Sequence, residues 1–195
     1  MYNGKPISFH YKWCKEDGTL TQDQAYFLQN IIEQLNPNYI LELGMGTGRA
    51  TFTILESNKK INRLISIDEK FNGIKYNYRK LLTNIYKKKL VTLEITTQKL
   101  FRNNDFFTRY YPKGIDLVYM DSDDTYQGII HDLHKVSPYI NDNGLIIINN
   151  YESEKFYKPA LINAVDFFVQ MNNMYELKTW KKKGYGYAIL IKNNC

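Results

Sequence analysis

The sequence predicts an α/β fold in which helices cover both faces of a doubly wound, mostly parallel sheet. Apolar strand-like runs alternate with amphipathic helix-like segments through most of the 195 residues. A glycine-rich turn follows the first strand-like run. The last two runs are separated only by residues 181–184, which predicts a hairpin and hence an antiparallel pair at the end of a seven-stranded sheet.

The elements follow in order from the first helix. Thr21 is its predicted N-cap, with Gln24 as capping-box partner; an apolar stripe at i, i+3, i+4 and i+7 follows, and Pro37 ends the helix. Parallel strands are predicted at residues 39–43, 64–67, 91–95, 115–120 and 144–148, and the hairpin strands at 175–180 and 185–191. Further helices are predicted over 49–57, 73–86, 126–136 and 160–171.

Composition predicts one domain spanning residues 1–195, with residues 1–20 as an N-terminal arm or lid. No signal-peptide pattern and no apolar run long enough for a bilayer are visible in these residues, so we expect a cytoplasmic protein without a membrane partner. The net charge of +6 is densest at residues 87–89 and 181–183, which are interpreted as solvated turns, with a nucleic-acid patch as the alternative. The oligomeric state is open, and a homo-oligomer is compatible with the sequence.

The glycine-rich turn reads Glu-Leu-Gly-Met-Gly-Thr-Gly over residues 42–48. A strand, a glycine turn and a helix place backbone N–H groups around a ligand. The dinucleotide fingerprint fails, because the third glycine position falls on Arg49 or Thr51, depending on the starting glycine. Asp68 ends the second strand, and its two acceptor oxygens suit the two hydroxyls of a ribose.

This pattern resembles motif I of the class I methyltransferases that depend on S-adenosylmethionine (SAM), whose fold is Rossmann-like. The resemblance implies SAM as the cofactor, with the loop around its methionine part. The implied cofactor-binding residues are Glu42, Gly44, Met45, Gly46, Thr47, Gly48, Asp68 and Asp121. Thr97 and Gln98 follow the third strand, where that family contacts the adenine.

Two polar clusters follow the fourth and fifth strands: Asp-Ser-Asp-Asp-Thr-Tyr at 121–126 and Asn-Asn-Tyr at 149–151. Together with the strands before them they resemble the small-molecule O-methyltransferases that include the macrocin-type sugar enzymes, which carry Asp-Gly-Asp-His-Ser-Tyr and Asp-Asp-Tyr there. The resemblance covers roughly residues 20 to 191. It implies Asp121 and Asp124 as catalytic residues, with Asp124 standing where the family has histidine.

The same resemblance implies a divalent metal, such as Mg²⁺, held by acids at these two strand ends. Here Asp121, Asn149 and Asn150 would supply three oxygens but only one negative charge, whereas Mg²⁺ usually takes carboxylate ligands. An intact metal site is therefore less expected here than in the family.

The sequence thus predicts a SAM-dependent methyltransferase that transfers a methyl group to the oxygen of a small hydroxylated acceptor, a sugar or a phenol. The acceptor would be bound by residues 1–20, 99–113 and the loop after Tyr151. One alternative is a nucleic-acid methyltransferase, favoured by the net charge and disfavoured by the aspartates at 121–124. The other is a SAM-binding protein without catalysis, prompted by Asn149 and Asn150.

Overall fold

The computed structural model describes residues 20–103, 105–154 and 157–194. The predicted arm or lid over residues 1–20 lies outside the described residues except for Leu20.

The described residues form helices and strands in close to the predicted order. The α-helices are α1 (Gln22–Leu35), α2 (Arg49–Ser57), α3 (Gly73–Ile85), α4 (Thr97–Leu100), α5 (Phe106–Tyr110), α6 (Tyr126–Val136) and α7 (Pro159–Met171), with a 3-10 turn at Ser137–Tyr139. The strands are β1 (Tyr39–Leu43), β2 (Arg63–Asp68), β3 (Leu90–Glu94), β4 (Ile115–Met120), β5 (Ile140–Asn149), β6 (Tyr175–Lys182) and β7 (Tyr185–Lys192). Among the described helices, none has the length and apolar character needed to cross a membrane.

The seven strands lie in one sheet in the order β3-β2-β1-β4-β5-β7-β6. All pairings among strands β1 to β5 are parallel, whereas β7 runs antiparallel to both β5 and β6. The predicted fold class is therefore confirmed. The order reverses between β1 and β4, and in open α/β sheets ligands bind outside the carboxyl ends of the strands at such a point.

Helix α1 begins with the predicted capping box. The Thr21 hydroxyl accepts from the backbone N–H of Gln24 at 3.3 Å, and the Gln24 side chain accepts from the Thr21 N–H at 2.9 Å. The helix ends at Asn36, which adopts a left-handed φ of 50° directly before Pro37. The Thr21–Gln24 pair fixes where α1 starts beside the sheet, and Gln24 itself is buried.

Apolar side chains pack on both faces of the sheet. Successive β1 residues Ile40 and Leu41 belong to opposite clusters, and both are fully buried. Leu28 of α1 and Ile54 of α2 cover the first face, whereas Phe168 of α7 packs on the second. Burial on both faces explains why the central strands read as continuous apolar runs.

Two boundaries differ from the prediction by more than one residue. Strand β5 begins four residues before the predicted 144, because Ile140 already pairs with Ile115 and an irregularity in register then separates this pair from the main ladder. The polar residues 141–143 hid this extension. The predicted turn over 181–184 is shorter: Lys183 and Gly184 alone form it, with φ of 52° and 78°, as in the two-residue hairpin turns that match strand twist.

Candidate active site

The glycine loop connects the end of β1 to α2 and is tied to its neighbours by backbone bonds. The N–H groups of Gly44 and Met45 both donate to the Ile67 carbonyl at 2.9 Å. Gly44 has a φ of 93°, and a Cβ there would lie 2.1 Å from the Asp121 carbonyl oxygen. Only glycine therefore allows β1 and β4 to approach this closely at the switch in strand order.

Asp68 lies at the tip of β2 and reaches across to the loop. Its Oδ2 accepts from the Gly46 N–H at 2.8 Å, and Lys75 of α3 forms an ion pair with the carboxylate at 3.3 Å. The Lys70 N–H also donates to Oδ1 at 3.3 Å, so a ligand hydroxyl would replace one of the longer contacts from Lys70 or Lys75. The predicted ribose-binding acid and the glycine loop thus form one connected structure.

A cavity of about 630 Å³ opens over this loop, within the range of small-molecule and cofactor sites. Predicted residues that line it are Gly44, Met45, Gly46, Thr47, Asp68, Thr97, Gln98, Asp121 and Asp124. Arg49 and Lys75 also line it, and the sequence reasoning had not assigned either to the site. Glu42, Gly48, Asn149 and Asn150 are not among the lining residues.

Glu42 lies beneath the loop and is completely buried. Its Oε2 accepts from the hydroxyls of Thr51, at 2.6 Å, and of Ser66, whereas Oε1 has no hydrogen-bond partner among the described residues. Burial raises the pKa of Glu42 to about 8, against the two hydroxyl bonds, which lower it. The resemblance implies Glu42 near the polar groups of the cofactor, whereas in the structure Glu42 lies beneath the loop and bonds to α2 and β2. Ser66 was the available signal for this role, since it interrupts the apolar run over residues 64–67.

Asp121 follows β4 and faces the cavity, from which solvent reaches it. The surrounding wall desolvates its carboxyl and raises the pKa to about 6. A hydrogen bond from Asn149 opposes that rise, Asp124 adds to it, and the charge of Lys158 opposes it. The Asp121 carboxyl therefore binds a proton more readily than an ordinary aspartate.

Asp124 contacts Lys158, a residue that the sequence reasoning had not singled out. The Lys158 ammonium donates to Asp124 Oδ2, and Lys158 is the N-cap residue of α7. A cation two residues before a predicted helix, in the segment assigned to acceptor binding, was the available signal. The pair brings the segment after β5 against the segment after β4. Asp123 instead closes the turn before α6, because its Oδ1 accepts from the Thr125 N–H at 2.8 Å.

The predicted metal ligands do not fit a divalent ion. Asn149 is buried, and its Oδ1 accepts from Gln24 Nε2 at 2.9 Å, so its N–H₂ group is the part that bonds toward Asp121. Asn150 has a left-handed φ of 63° and starts a turn in which its carbonyl accepts from the Ser153 N–H. Among the described residues, there is also no group of three or more His, Cys, Asp or Glu residues placed to hold a metal.

Comparisons with known proteins agree with this fold and loop. Residues 41–151, more than half of the chain, match the sequence profile of a methyltransferase domain family. An uncharacterised protein of Acanthamoeba polyphaga mimivirus is 28% identical over 171 residues, covering 81% of this chain and 73% of that protein. An O-methyltransferase from Bacillus cereus, solved with SAH, has a TM-score of 0.75 at 12% identity, covering 96% of this chain and 88% of that one. The O-methyltransferase TomG from Streptomyces achromogenes, solved with SAM, has a TM-score of 0.71 at 13% identity, covering 96% and 89%.

The chain therefore belongs to this methyltransferase domain family, and it is a SAM-dependent methyltransferase of class I. The resemblance read from the glycine loop is confirmed at this level. The macrocin-type branch, the site residues and the oligomeric state stay predictions.

Proposed function

We propose that this chain transfers the methyl group of SAM to a hydroxyl oxygen of a small acceptor. The observation that carries the proposal is one cavity in which the glycine loop, Asp68 and Asp121 meet. The Bacillus cereus and Streptomyces achromogenes O-methyltransferases, which share the fold, were solved with SAH and SAM and support the choice of cofactor.

In the proposed complex, each part of SAM lies beside a different segment of the cavity wall. In this complex the glycine loop and the start of α2 lie at the methionine end, with Arg49 beside them as a partner for its carboxylate. In this proposal Asp68 takes the ribose hydroxyls, and Thr97 and Gln98 lie on the next lining segment, where the adenine would be. This order leaves the sulfonium on the side of Asp121 and Asp124.

The charge of the cavity also favours SAM. The cofactor carries a sulfonium and an ammonium, and carboxylates of Asp68, Asp121, Asp123 and Asp124 line the cavity. Opposite charges within several ångströms stabilise one another, most of all where protein excludes water. The same carboxylates repel a polyphosphate backbone, which supports a small acceptor over a nucleic acid.

In the proposed reaction, the acceptor oxygen attacks the methyl carbon in line with the departing sulfur. The C–O bond forms as the C–S bond breaks. The electron pair of the C–S bond stays on sulfur, which becomes the neutral thioether of the product, S-adenosylhomocysteine (SAH). Asp121 accepts the hydroxyl proton, since its pKa of about 6 lies near neutral pH. The Asp124–Lys158 pair stands beside the acceptor and orients it. Much of the rate gain comes from this alignment.

Titration calorimetry with SAM and SAH tests the cofactor directly. We expect both to bind the wild type, and Asp68→Ala to weaken binding while Asp142→Ala, an exposed change away from the cavity, does not. Methyl transfer from radiolabelled SAM is then measured against sugars and phenols.

The outcomes separate the alternatives. Absence of SAM binding to the folded protein contradicts the proposal. SAM binding without transfer to either acceptor class favours a binding protein without catalysis. Transfer to RNA or DNA that falls with added salt favours the nucleic-acid alternative.

A further inference from the structure

A buried chain of side-chain hydrogen bonds joins the first turn of α1 to the end of β5. Gln24 Oε1 accepts from the backbone N–H and the hydroxyl of Thr21, each at 2.9 Å. Gln24 Nε2 donates to Asn149 Oδ1 at 2.9 Å. Asn149 follows Ile148, which pairs with Met120 in the parallel β4–β5 ladder, so Asn149 lies beside Asp121, the residue after Met120. We use the name amide relay for Thr21, Gln24, Asn149 and Asp121.

The direction of every bond in the amide relay is fixed at its first member. A backbone N–H can only donate, so the Gln24 atom that meets Thr21 is the amide oxygen. The Gln24 atom that meets Asn149 is then its N–H₂ group, and it requires the oxygen of Asn149 as acceptor. The N–H₂ group of Asn149 is what is left to face Asp121.

Burial prevents water from replacing these partners. Gln24 is 2% exposed and Asn149 is 5% exposed. Turning the Asn149 amide over would set two N–H₂ groups against each other at Gln24 and an oxygen against the Asp121 carboxylate. Buried polar groups left without partners cost as much as their full desolvation, so the turned amide is strongly disfavoured.

We propose that Gln24 is a positioning residue that holds Asn149 as an N–H donor to Asp121, and that the methyl-transfer site consequently works without a divalent ion. The proposal rests on the proposed function for the meaning of the site, but the relay and its effect on metal binding are measurable without catalysis. A divalent ion needs an oxygen where this chain presents an N–H₂ group. The Lys158 ammonium beside Asp124 supplies a positive charge on the acceptor side instead.

The first experiment measures binding of Mn²⁺ by electron paramagnetic resonance, with Mn²⁺ as a probe for Mg²⁺ sites. We expect no specific binding to the wild type at millimolar Mn²⁺, and one bound ion in Asn149→Asp, where a second carboxylate joins Asp121. Asn193→Asp, an exposed change beyond the opposite end of β7, is the matched control and should bind none. Micromolar Mn²⁺ binding by the wild type overturns the proposal, and so does an Asn149→Asp variant that binds none.

The second experiment inverts the relay with Gln24→Glu. This change keeps an acceptor for Thr21 and thus the capping box, but it removes the N–H₂ group that holds Asn149 Oδ1. At about pH 8.5, above the pKa of about 8 that burial gives Glu42, the introduced carboxyl is ionised, and Asn149 should turn its oxygen to Asp121. We expect methyl transfer to fall by about tenfold to a hundredfold, the effect of one hydrogen bond to a charged group.

Mn²⁺ binding by the same variant distinguishes a positioning role of Gln24 from a role in stability alone. Because an oxygen now faces Asp121, Gln24→Glu should gain measurable Mn²⁺ binding, whereas Gln22→Glu, exposed in the same turn, should resemble the wild type. If Gln24→Glu keeps the wild-type rate of methyl transfer and gains no Mn²⁺ binding, Gln24 does not determine the orientation of the Asn149 amide. A failure of the wild type to bind SAM would instead count against the proposed function, with the Mn²⁺ results unaffected.

Discussion

The buried Glu42 carboxyl predicts a dependence of stability on pH that one substitution should remove. Its pKa is about 8 in the folded protein against 4.5 for the ordinary group, because burial disfavours the charged form. The folded state therefore holds a proton that the unfolded state releases between these two values. Stability is highest below the ordinary pKa of 4.5 and is lost as pH rises through the folded pKa of about 8.

The magnitude follows from proton linkage. Between pH 5 and pH 8 this single group should lower the free energy of unfolding by about 3 to 4 kcal/mol, since each unit of pKa difference is worth about 1.4 kcal/mol. Typical domains have a total stability of about 5 to 15 kcal/mol, so the effect is large. Glu42→Gln keeps an oxygen acceptor for Thr51 and Ser66 and places an uncharged N–H₂ group where Oε1 lies.

The assay is urea unfolding at pH 5, 6, 7 and 8. Glu42→Gln should match the wild type near pH 5 and exceed it by about 3 kcal/mol at pH 8, because the amide cannot ionise. Glu33→Gln, at an exposed position of α1, is the matched control and should follow the wild-type profile. If the wild type and Glu42→Gln give parallel profiles, Glu42 is ionised in the folded protein at neutral pH, and the reasoning is refuted.

Three further predictions concern the cavity. Gly46→Ala and Gly73→Ala should each lower the free energy of unfolding by roughly 1 to 2 kcal/mol, because both residues have a left-handed φ and no nearby atom would clash with a Cβ. Only Gly46→Ala, on the cavity wall, should also weaken SAM binding in calorimetry. Asp68→Asn should lower the affinity for SAM by about tenfold or more, because the ribose loses a charged acceptor. Equal affinity of the variant and the wild type would show that Asp68 does not bind the ribose. Lys158→Met should move the acid limb of the pH–rate profile upward by roughly half a pH unit, because the charge of Lys158 lowers the pKa of Asp121. If the acid limb does not move, the group that titrates there is not Asp121.

The fold and the cofactor loop could be read from the sequence because their signals are local. Glycines at 44, 46 and 48 all have positive φ, so the residue type reports the backbone conformation directly. The capping box at Thr21 is likewise a pattern of residues three apart along one helix turn. Element boundaries were less readable where local chemistry was mixed, as in the polar start of β5.

The acceptor side could not be read in the same way, because its contacts join distant segments. The Lys158–Asp124 pair links residues 34 apart, and the Gln24–Asn149 bond links residues 125 apart. Sequence reasoning took Asn149 for a weak metal ligand, since an amide offers either an oxygen or an N–H₂ group. Gln24 determines which of the two groups faces Asp121. The capping-box pattern at Thr21 and Gln24 does not indicate that the Gln24 side chain also bonds to Asn149.

The sequence by itself therefore determined the doubly wound sheet and the class of methyltransferase and predicted a set of site residues, since periodicity, glycine spacing and capping act within a few residues. Only the tertiary structure decided which of these residues face the cavity and which support it. It placed Glu42 under the loop, turned Asn149 toward Asp121 through its N–H₂ group, and brought Lys158 to Asp124. The physical reason is that burial and hydrogen-bond direction are properties of the packed chain, set by partners that the sheet brings together from far along the sequence.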